Sequence, residues 1–210
     1  MSGNIGVGKS TVCDKLASNL ANGFFIGEEL ENPYLEKFYD CMARKPDAPN
    51  PYALKLQEYF LDKRYENEAP YDEREGVLIT DRFLLEYYEI FVKNLMKSGL
   101  MSPEDFHYYC EKYEQLRDRL KKPDVIVFLK SNVETNIARI NKRNRDAESG
   151  KIDENYLRSL HTIYENFLSL LKQDHGYIRL IEVETDDKSA EEVYKIVENR
   201  LIEEYSDFIN

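Results

Sequence analysis

The sequence is poor in the residues that build metal sites and disulfides. It holds three cysteines (Cys13, Cys41, Cys110) and three histidines in 210 residues. No Cys-x-x-Cys pair occurs, so the usual structural zinc sets are excluded. Thiols this few, odd in number and widely spaced read as reduced, which points to a cytoplasmic protein. Positive charge is also short: 29 Lys+Arg against 40 Asp+Glu leave a net charge of −11. Such a chain is a poor partner for nucleic acid, which asks for a cationic surface. No apolar run approaches the ~18 residues of a membrane span. The glycine-rich N-terminus does not resemble a secretory leader. Hydrophobic residues make up 42% and charged residues 33% of the chain, a composition that folds. Its length fits one domain over 1–210, since roughly 100–200 residues is usual.

Hydrophobic periodicity divides the chain into alternating elements. A glycine-rich turn, Ser2–Gly8, precedes a helix over Lys9–Leu20. Phe24–Ile26 reads as a short strand and Pro33–Tyr39 as a short helix. Cys41–Pro51 carries three of the seven prolines and reads as a loop. Tyr52–Glu68 is helical. Val77–Thr80 is an apolar strand ending at Asp81. Helices follow over Phe83–Met96 and from Ser102 to about Leu120, the second opened by Ser102-Pro103-Glu104-Asp105. Val125–Leu129 is a third strand. Ser131 and Glu134 form a capping box for a helix through Arg145. A polar stretch over 146–153 reads as mobile. Glu154–Gln173 is a helix, Tyr177–Val183 a fourth strand, and Ser189–Glu204 a last helix with its own capping box. Strands alternating with helices predict an α/β fold of three layers, a parallel sheet between helices.

Gly3-Asn4-Ile5-Gly6-Val7-Gly8-Lys9-Ser10 matches G-x-x-x-x-G-K-[ST] in full. Its glycines let successive N–H groups curl inward around phosphate oxygens, and the helix N-terminus behind them adds to the attraction. Lys9 supplies a point charge to the outer phosphates. Ser10 offers a hydroxyl to Mg²⁺. Asp81, at the end of a buried strand, can hold the same ion through water. Otherwise it caps the next helix. Arg139 and Arg143 lie four apart on one helical face, with Arg145 just beyond. In an acidic chain these three suit the clamping of a transferring phosphoryl group.

Taken together, these residues resemble the deoxynucleoside kinase family. The resemblance rests on Gly3–Thr11, Glu31–Asp40 with its Asn-Pro-Tyr-Leu stretch, Leu56–Arg64, Asp81-Arg82, and the arginines at 139, 143 and 145 followed by Glu148, all in family order. It implies a P-loop kinase that uses ATP and Mg²⁺ to phosphorylate the 5′-hydroxyl of a small-molecule deoxynucleoside, with purines slightly favoured. It implies that Glu28, or Glu29 beside it, accepts the hydroxyl proton. Asp81 belongs near Mg²⁺ and Arg82 near the 5′-oxygen and phosphate. Gln57 meets the base edge with Arg64 beside it. Tyr39 and Glu148 hold the sugar 3′-hydroxyl. Arg139, Arg143 and Arg145 form a lid over the phosphates, within a segment at about 139–150.

The independent reading of Arg64 leaves two roles open, recognition of a carbonyl-bearing base or an ion pair holding its helix. Tyr87 stands where relatives place an acid near the base, with Glu86 just before it, and Phe83 replaces a Ser or Thr. The family pattern also places a central strand before the glycine turn. Only Met1 and Ser2 stand there, so the sheet is expected to lack its first strand. A homodimer is expected, pairing through the apolar Phe83–Met96 helix. Two rivals remain: a nucleoside-monophosphate kinase, which the acidic Glu28–Glu31 stretch opposes, and a nucleotide-binding paralogue impaired in catalysis.

Overall fold

The computed structural model describes the chain apart from residues 21, 30, 47, 72, 144–151, 174–178 and 206–210. Its helices are α1 (Lys9–Asn19), α2 (Leu35–Arg44), α3 (Ala53–Glu68), α5 (Pro103–Arg117), α6 (Val133–Arg143), α7 (Glu154–Gln173) and α8 (Ala190–Tyr205). Helix α4 is composite: Leu84–Glu86, a π-helical stretch Tyr87–Val92, and Lys93–Lys97. The strands are β1 (Gly23–Ile26), β2 (Val77–Thr80), β3 (Val125–Lys130) and β4 (Arg179–Glu184).

All strand pairing is parallel among the described residues. Phe24 faces Leu78 in the β1–β2 pair, and Val127 faces Ile181 in the β3–β4 pair. Residues 1 and 2 lie between the pairs and bond to both. The Met1 ammonium donates to the Thr80 carbonyl at 2.8 Å, and Arg82 N–H donates to the Met1 carbonyl at 2.9 Å. On the other side, Ser2 N–H donates to Val127 at 2.8 Å and Leu129 N–H donates to Ser2 at 2.9 Å. Where the sheet was expected to lack its first strand, Ser2 forms an isolated parallel bridge with Phe128. It satisfies backbone groups on both neighbouring strands, which burial would otherwise leave unpaired.

Strand β3 shows why helices cover both faces. Its side chains alternate, as the pleat requires. Ile126 and Phe128 enter one core with α2, α3, α4, α5 and α7. Val127 and Leu129 enter another with Val12 and Leu16 of α1 and Val193 and Val197 of α8. A strand buried on both sides has to be a continuous apolar run, and Val-Ile-Val-Phe-Leu is one.

Several boundaries differ from those expected. Helix α2 continues through Cys41 to Arg44, where proline density suggested a loop, because Met42 is buried in the core. Ser131 does not cap α6. Its hydroxyl donates to Asn136 Oδ1 at 2.5 Å, while Asn132 Oδ1 accepts the Thr135 N–H at 2.7 Å. The other two starts stand as expected: Ser102 accepts from Asp105 N–H, and Ser189 and Glu192 exchange hydrogen bonds. Helix α4 is central, packed against α3, α5 and α7. Its Ile90, Val92 and Leu95 have no exposed surface and pack inside the chain, while Leu85, Tyr88 and Met96 are half-buried.

Candidate active site

The glycine turn wraps the N-terminus of α1. Gly3, Gly6 and Gly8 have φ of 135°, 84° and 105°, conformations that side chains rarely tolerate. Gly8 is the N-cap of α1 and has no side chain to satisfy the first N–H groups of the helix. Those donors, on the exposed side of the turn at Gly8 and Thr11, form a ready anion site. Asn4 fixes the loop from within: its amide donates to the Leu157 carbonyl at 3.3 Å and accepts from Ile5 N–H at 2.8 Å. Val7 is buried below the loop, in the α1–α8 core.

Lys9 is buried, and its ammonium donates to the carbonyls of Gly3 and Asn4, each at 3.1 Å. It lies 3.8 Å from Asp81 Oδ1. Burial, then the Arg82 charge, pull its pKa below the ordinary lysine value. The other Asp81 oxygen accepts the Ser10 hydroxyl. Burial alone would raise the Asp81 carboxyl, but Lys9, Arg82 and the Ser10 bond outweigh it and hold its pKa below the ordinary value. Asp81 Oδ1 is buried and has no hydrogen-bond partner among the described residues. An ionised carboxylate with a spare oxygen, next to a serine hydroxyl, fits a hard cation such as Mg²⁺.

Strand β2 ends at this carboxylate and the chain turns at Arg82 with φ of 69°, rare for a residue with a side chain. The turn sends the guanidinium inward, where it is 1% exposed. Its Nε donates to Glu28 at 3.2 Å, and its Nη1 to the Gly3 carbonyl at 3.2 Å and to the Tyr164 hydroxyl. Nη2 bonds to nothing among the described residues. Arg82 also lies over the Phe91 ring at 4.7 Å.

Glu28 follows β1 and is one wall of a narrow cleft that is partly open to solvent. Glu29, Tyr39, Gln57, Arg82 and Tyr87 also line it, with Phe60 and Phe91 among the apolar walls. Gln57 is buried, and its Oε1 has no partner among the described residues. Tyr87 stacks against Phe60 with ring centroids 6.0 Å apart.

Other expected residues stand elsewhere. Arg64 is not part of the cleft wall. It donates to Glu68 at 3.1 Å, to Tyr87 at 3.1 Å and to the Asp81 carbonyl, which makes it a brace from α3 to the end of β2. Arg139 donates to the Val7 carbonyl at 3.2 Å and to Thr185 Oγ1 and carbonyl at 2.8 and 2.6 Å. It ties the underside of the phosphate turn to the end of β4. Arg143 is on the exposed surface of α6. Arg145 and Glu148, with most of the expected lid, lie outside the described residues.

Sequence reasoning assigned no role to four residues at this site. Tyr156 and Phe91 line the cleft. Glu86 and Tyr164 lie behind Arg82, with the Tyr164 hydroxyl donating to Glu86 Oε2 at 2.9 Å. For Glu86 the available signals were its spacing, four after Arg82 at a helix start, and its place beside the position where relatives carry an acid; Tyr164 had none.

The deoxynucleoside kinase family model matches residues 1–210. The chain belongs to the deoxynucleoside kinase family. Among curated kinases of the family, deoxyadenosine/deoxycytidine kinase of Bacillus subtilis is 33% identical over 171 residues, covering 80% of this chain and 75% of its own. Deoxyadenosine kinase of Dictyostelium discoideum is 32% identical over 185 residues, 87% of this chain and 70% of that one. Among solved kinase structures, deoxyadenosine kinase from M. mycoides with dCMP and a flexible dCDP bound superposes with a TM-score of 0.81, at 27% identity, covering 96% of this chain and 97% of that one.

Proposed function

We propose that this kinase transfers the γ-phosphoryl group of ATP to the 5′-hydroxyl of a deoxyribonucleoside, purines favoured. The observation that carries the reading is the position of Arg82, which joins the phosphate turn at Gly3 to the cleft carboxylate at Glu28. Acceptor and donor sites meet at one guanidinium.

The residues then divide the work. Glu28 takes the proton as the 5′-oxygen attacks phosphorus and the bond to the β-phosphate oxygen breaks. A carboxylate is a weak base, but it is enough when the transition state is loose and the proton leaves late. Arg82, with Nη2 uncommitted, and Lys9 stabilise the charge on the transferring group. The N–H groups from Gly6 to Thr11 cradle the donor phosphates. Ser10 and Asp81 would hold Mg²⁺, which neutralises the β- and γ-phosphate oxygens when bound. Gln57 offers an amide to the base edge, and Tyr39 faces the sugar. By the family resemblance Glu148 would join Tyr39 at the sugar 3′-hydroxyl, and Arg139, Arg143 and Arg145 would serve the lid over the phosphates. Glu28 and Glu29 both line the acceptor cleft and would repel an acceptor phosphate, which disfavours a monophosphate kinase. A homodimer, from the family resemblance, and a cytoplasmic location, from the few and unpaired cysteines, belong to the same reading.

The test is a panel of the four deoxynucleosides and their monophosphates, each with ATP and Mg²⁺, read by separation of the products. Phosphorylation of a deoxynucleoside, strongest for a purine, is expected. Turnover of monophosphates alone would replace this reading with the rival kinase. No turnover of any acceptor would leave a nucleotide-binding protein.

A further inference from the structure

Glu86 is a fully buried carboxylate, absent from the cleft wall and unused by the mechanism above. Buried charges are costly and persist only when paired and hydrogen-bonded. Here the pairing is ordered. Glu86 Oε1 accepts the Phe83 N–H at 3.3 Å, and Oε2 accepts the Tyr164 hydroxyl at 2.9 Å. That hydroxyl in turn accepts from Arg82 Nη1, which is itself 3.6 Å from Glu86 Oε2. The phenol thus has its proton committed to Glu86 and its lone pair to the arginine.

Two carboxylates share the Arg82 guanidinium from opposite sides. Glu28, half-buried, takes Nε at 3.2 Å, and Glu86, buried, draws on Nη1 through Tyr164. With Tyr164 removed, Nη1 loses its hydrogen bond and keeps the Gly3 carbonyl and the longer contact to Glu86; with Glu86 removed, Tyr164 loses the acceptor that orients it, so in either case the balance shifts toward Glu28. The guanidinium would settle on that carboxylate as a closer pair. Both groups would then be spent on each other, and neither would meet its reaction partner in the required orientation.

We propose that Glu86 and Tyr164 are positioning residues for phosphoryl transfer, a buried clamp that holds Arg82 between the phosphate turn and Glu28 so that both remain available. The inference rests on the kinase reading given above. Neither clamp residue borders the cleft, so their removal acts on the chemical step and leaves substrate affinity unchanged. They also act on the same atom, so their effects are not independent.

Tyr164→Phe removes one oxygen, and Glu86→Gln keeps the shape and removes the charge. Each is expected to lower kcat about tenfold, with KM for ATP and for the deoxynucleoside within twofold of wild type. The double variant is expected to fall no further than the worse single one. A structural role alone would lower the melting temperature and the active fraction additively, so kcat is referred to active sites titrated by tight nucleotide binding, well below both melting points. If Glu86→Gln does not fold, Tyr164→Phe carries the test alone. Unchanged kcat in Tyr164→Phe, a raised KM at constant kcat, or additive losses in the double variant each overturn the clamp. A wild-type protein that phosphorylates no deoxynucleoside overturns the kinase reading, and the clamp with it. An active wild type with an indifferent Tyr164 overturns the clamp alone.

Discussion

Glu28 and Arg82 are 54 residues apart in sequence and 3.2 Å apart in space. Each stands just beyond the end of a strand, Glu28 after β1 and Arg82 after β2. The parallel register, Ile26 beside Thr80, brings those ends together, where open α/β sheets place their ligands. If Glu28 is the proton acceptor, Glu28→Gln retains a hydrogen-bond acceptor for Arg82 and loses the base. Expected is a fall in kcat of about 10²–10³-fold, with KM for the deoxynucleoside within about threefold. Steady-state kinetics with the preferred deoxynucleoside checks it. A kcat within tenfold of wild type would pass the role to Glu29, the other acid on the cleft wall.

Lys9 and Asp81 are coupled through 3.8 Å, which makes their loss visible in two ways. Lys9→Ala removes a charge aimed at the donor phosphates, and kcat is expected to fall about 10²–10³-fold. It also removes the largest influence that lowers the Asp81 pKa. A carboxyl whose folded pKa is depressed contributes stability above its unfolded pKa and loses it as pH falls through the folded one. Raising the folded value therefore starts that loss at higher pH. The acid-unfolding midpoint of Lys9→Ala should lie above that of wild type, as followed by circular dichroism. An unchanged midpoint would mean that Lys9 does not set the state of Asp81.

How much of this could be read in advance depends on whether the signal was local. The phosphate turn was legible because its glycines, Lys9 and Ser10 are contiguous. Strand β3 was legible because burial on two faces forces an apolar run; Val77–Thr80 is bounded as read although it is only partly buried, with Leu78 exposed. The meeting of Glu28, Gln57 and Arg82 was not a matter of periodicity: parallel pairing creates it, and only the family resemblance supplied it. Arg139 was expected in the lid, and its bonds to Val7 and Thr185 were not legible because helical spacing shows a shared face and not a partner. Thr185 is 46 residues further on. Tyr164 looked like any core aromatic at helical spacing, and its polar end has meaning only beside Arg82 and Glu86.

Two glycines of the phosphate turn share positive φ but differ in their surroundings. A Cβ on Gly3 would meet the Leu129 carbonyl oxygen at 2.4 Å, whereas one on Gly8 would meet nothing within 4 Å. Alanine costs about 1–3 kcal/mol at either position for the backbone conformation. At Gly3 the forced shift of β3 adds about 1–3 kcal/mol. Urea unfolding should therefore show Gly3→Ala less stable than Gly8→Ala by at least about 1 kcal/mol. Equal losses would mean that the turn can move away from β3 without cost.

The last expectation concerns pH and Glu86. Burial raises its pKa above the ordinary value of 4.5, and the opposing Arg82 and Lys9 charges, the Met1 ammonium and the Tyr164 bond do not cancel that effect. Between the unfolded and folded pKa values the folded chain holds the extra proton, so stability falls as pH rises through that window. Asp81, lowered from 3.8, has its own slope below this range. Lys9, lowered from 10.5, loses the opposing Glu86 charge in the variant and is lowered further; a lysine lowered in the folded state gains stability as pH rises, so this change acts in the same direction. Glu86→Gln also removes the Glu86 slope. Urea unfolding of both proteins at steps from pH 5 to 8 should show wild type losing stability relative to Glu86→Gln as pH rises. Parallel stability curves would mean that Glu86 is ionised as readily inside the protein as in the unfolded chain, its pairing with Arg82 and Tyr164 fully offsetting its burial.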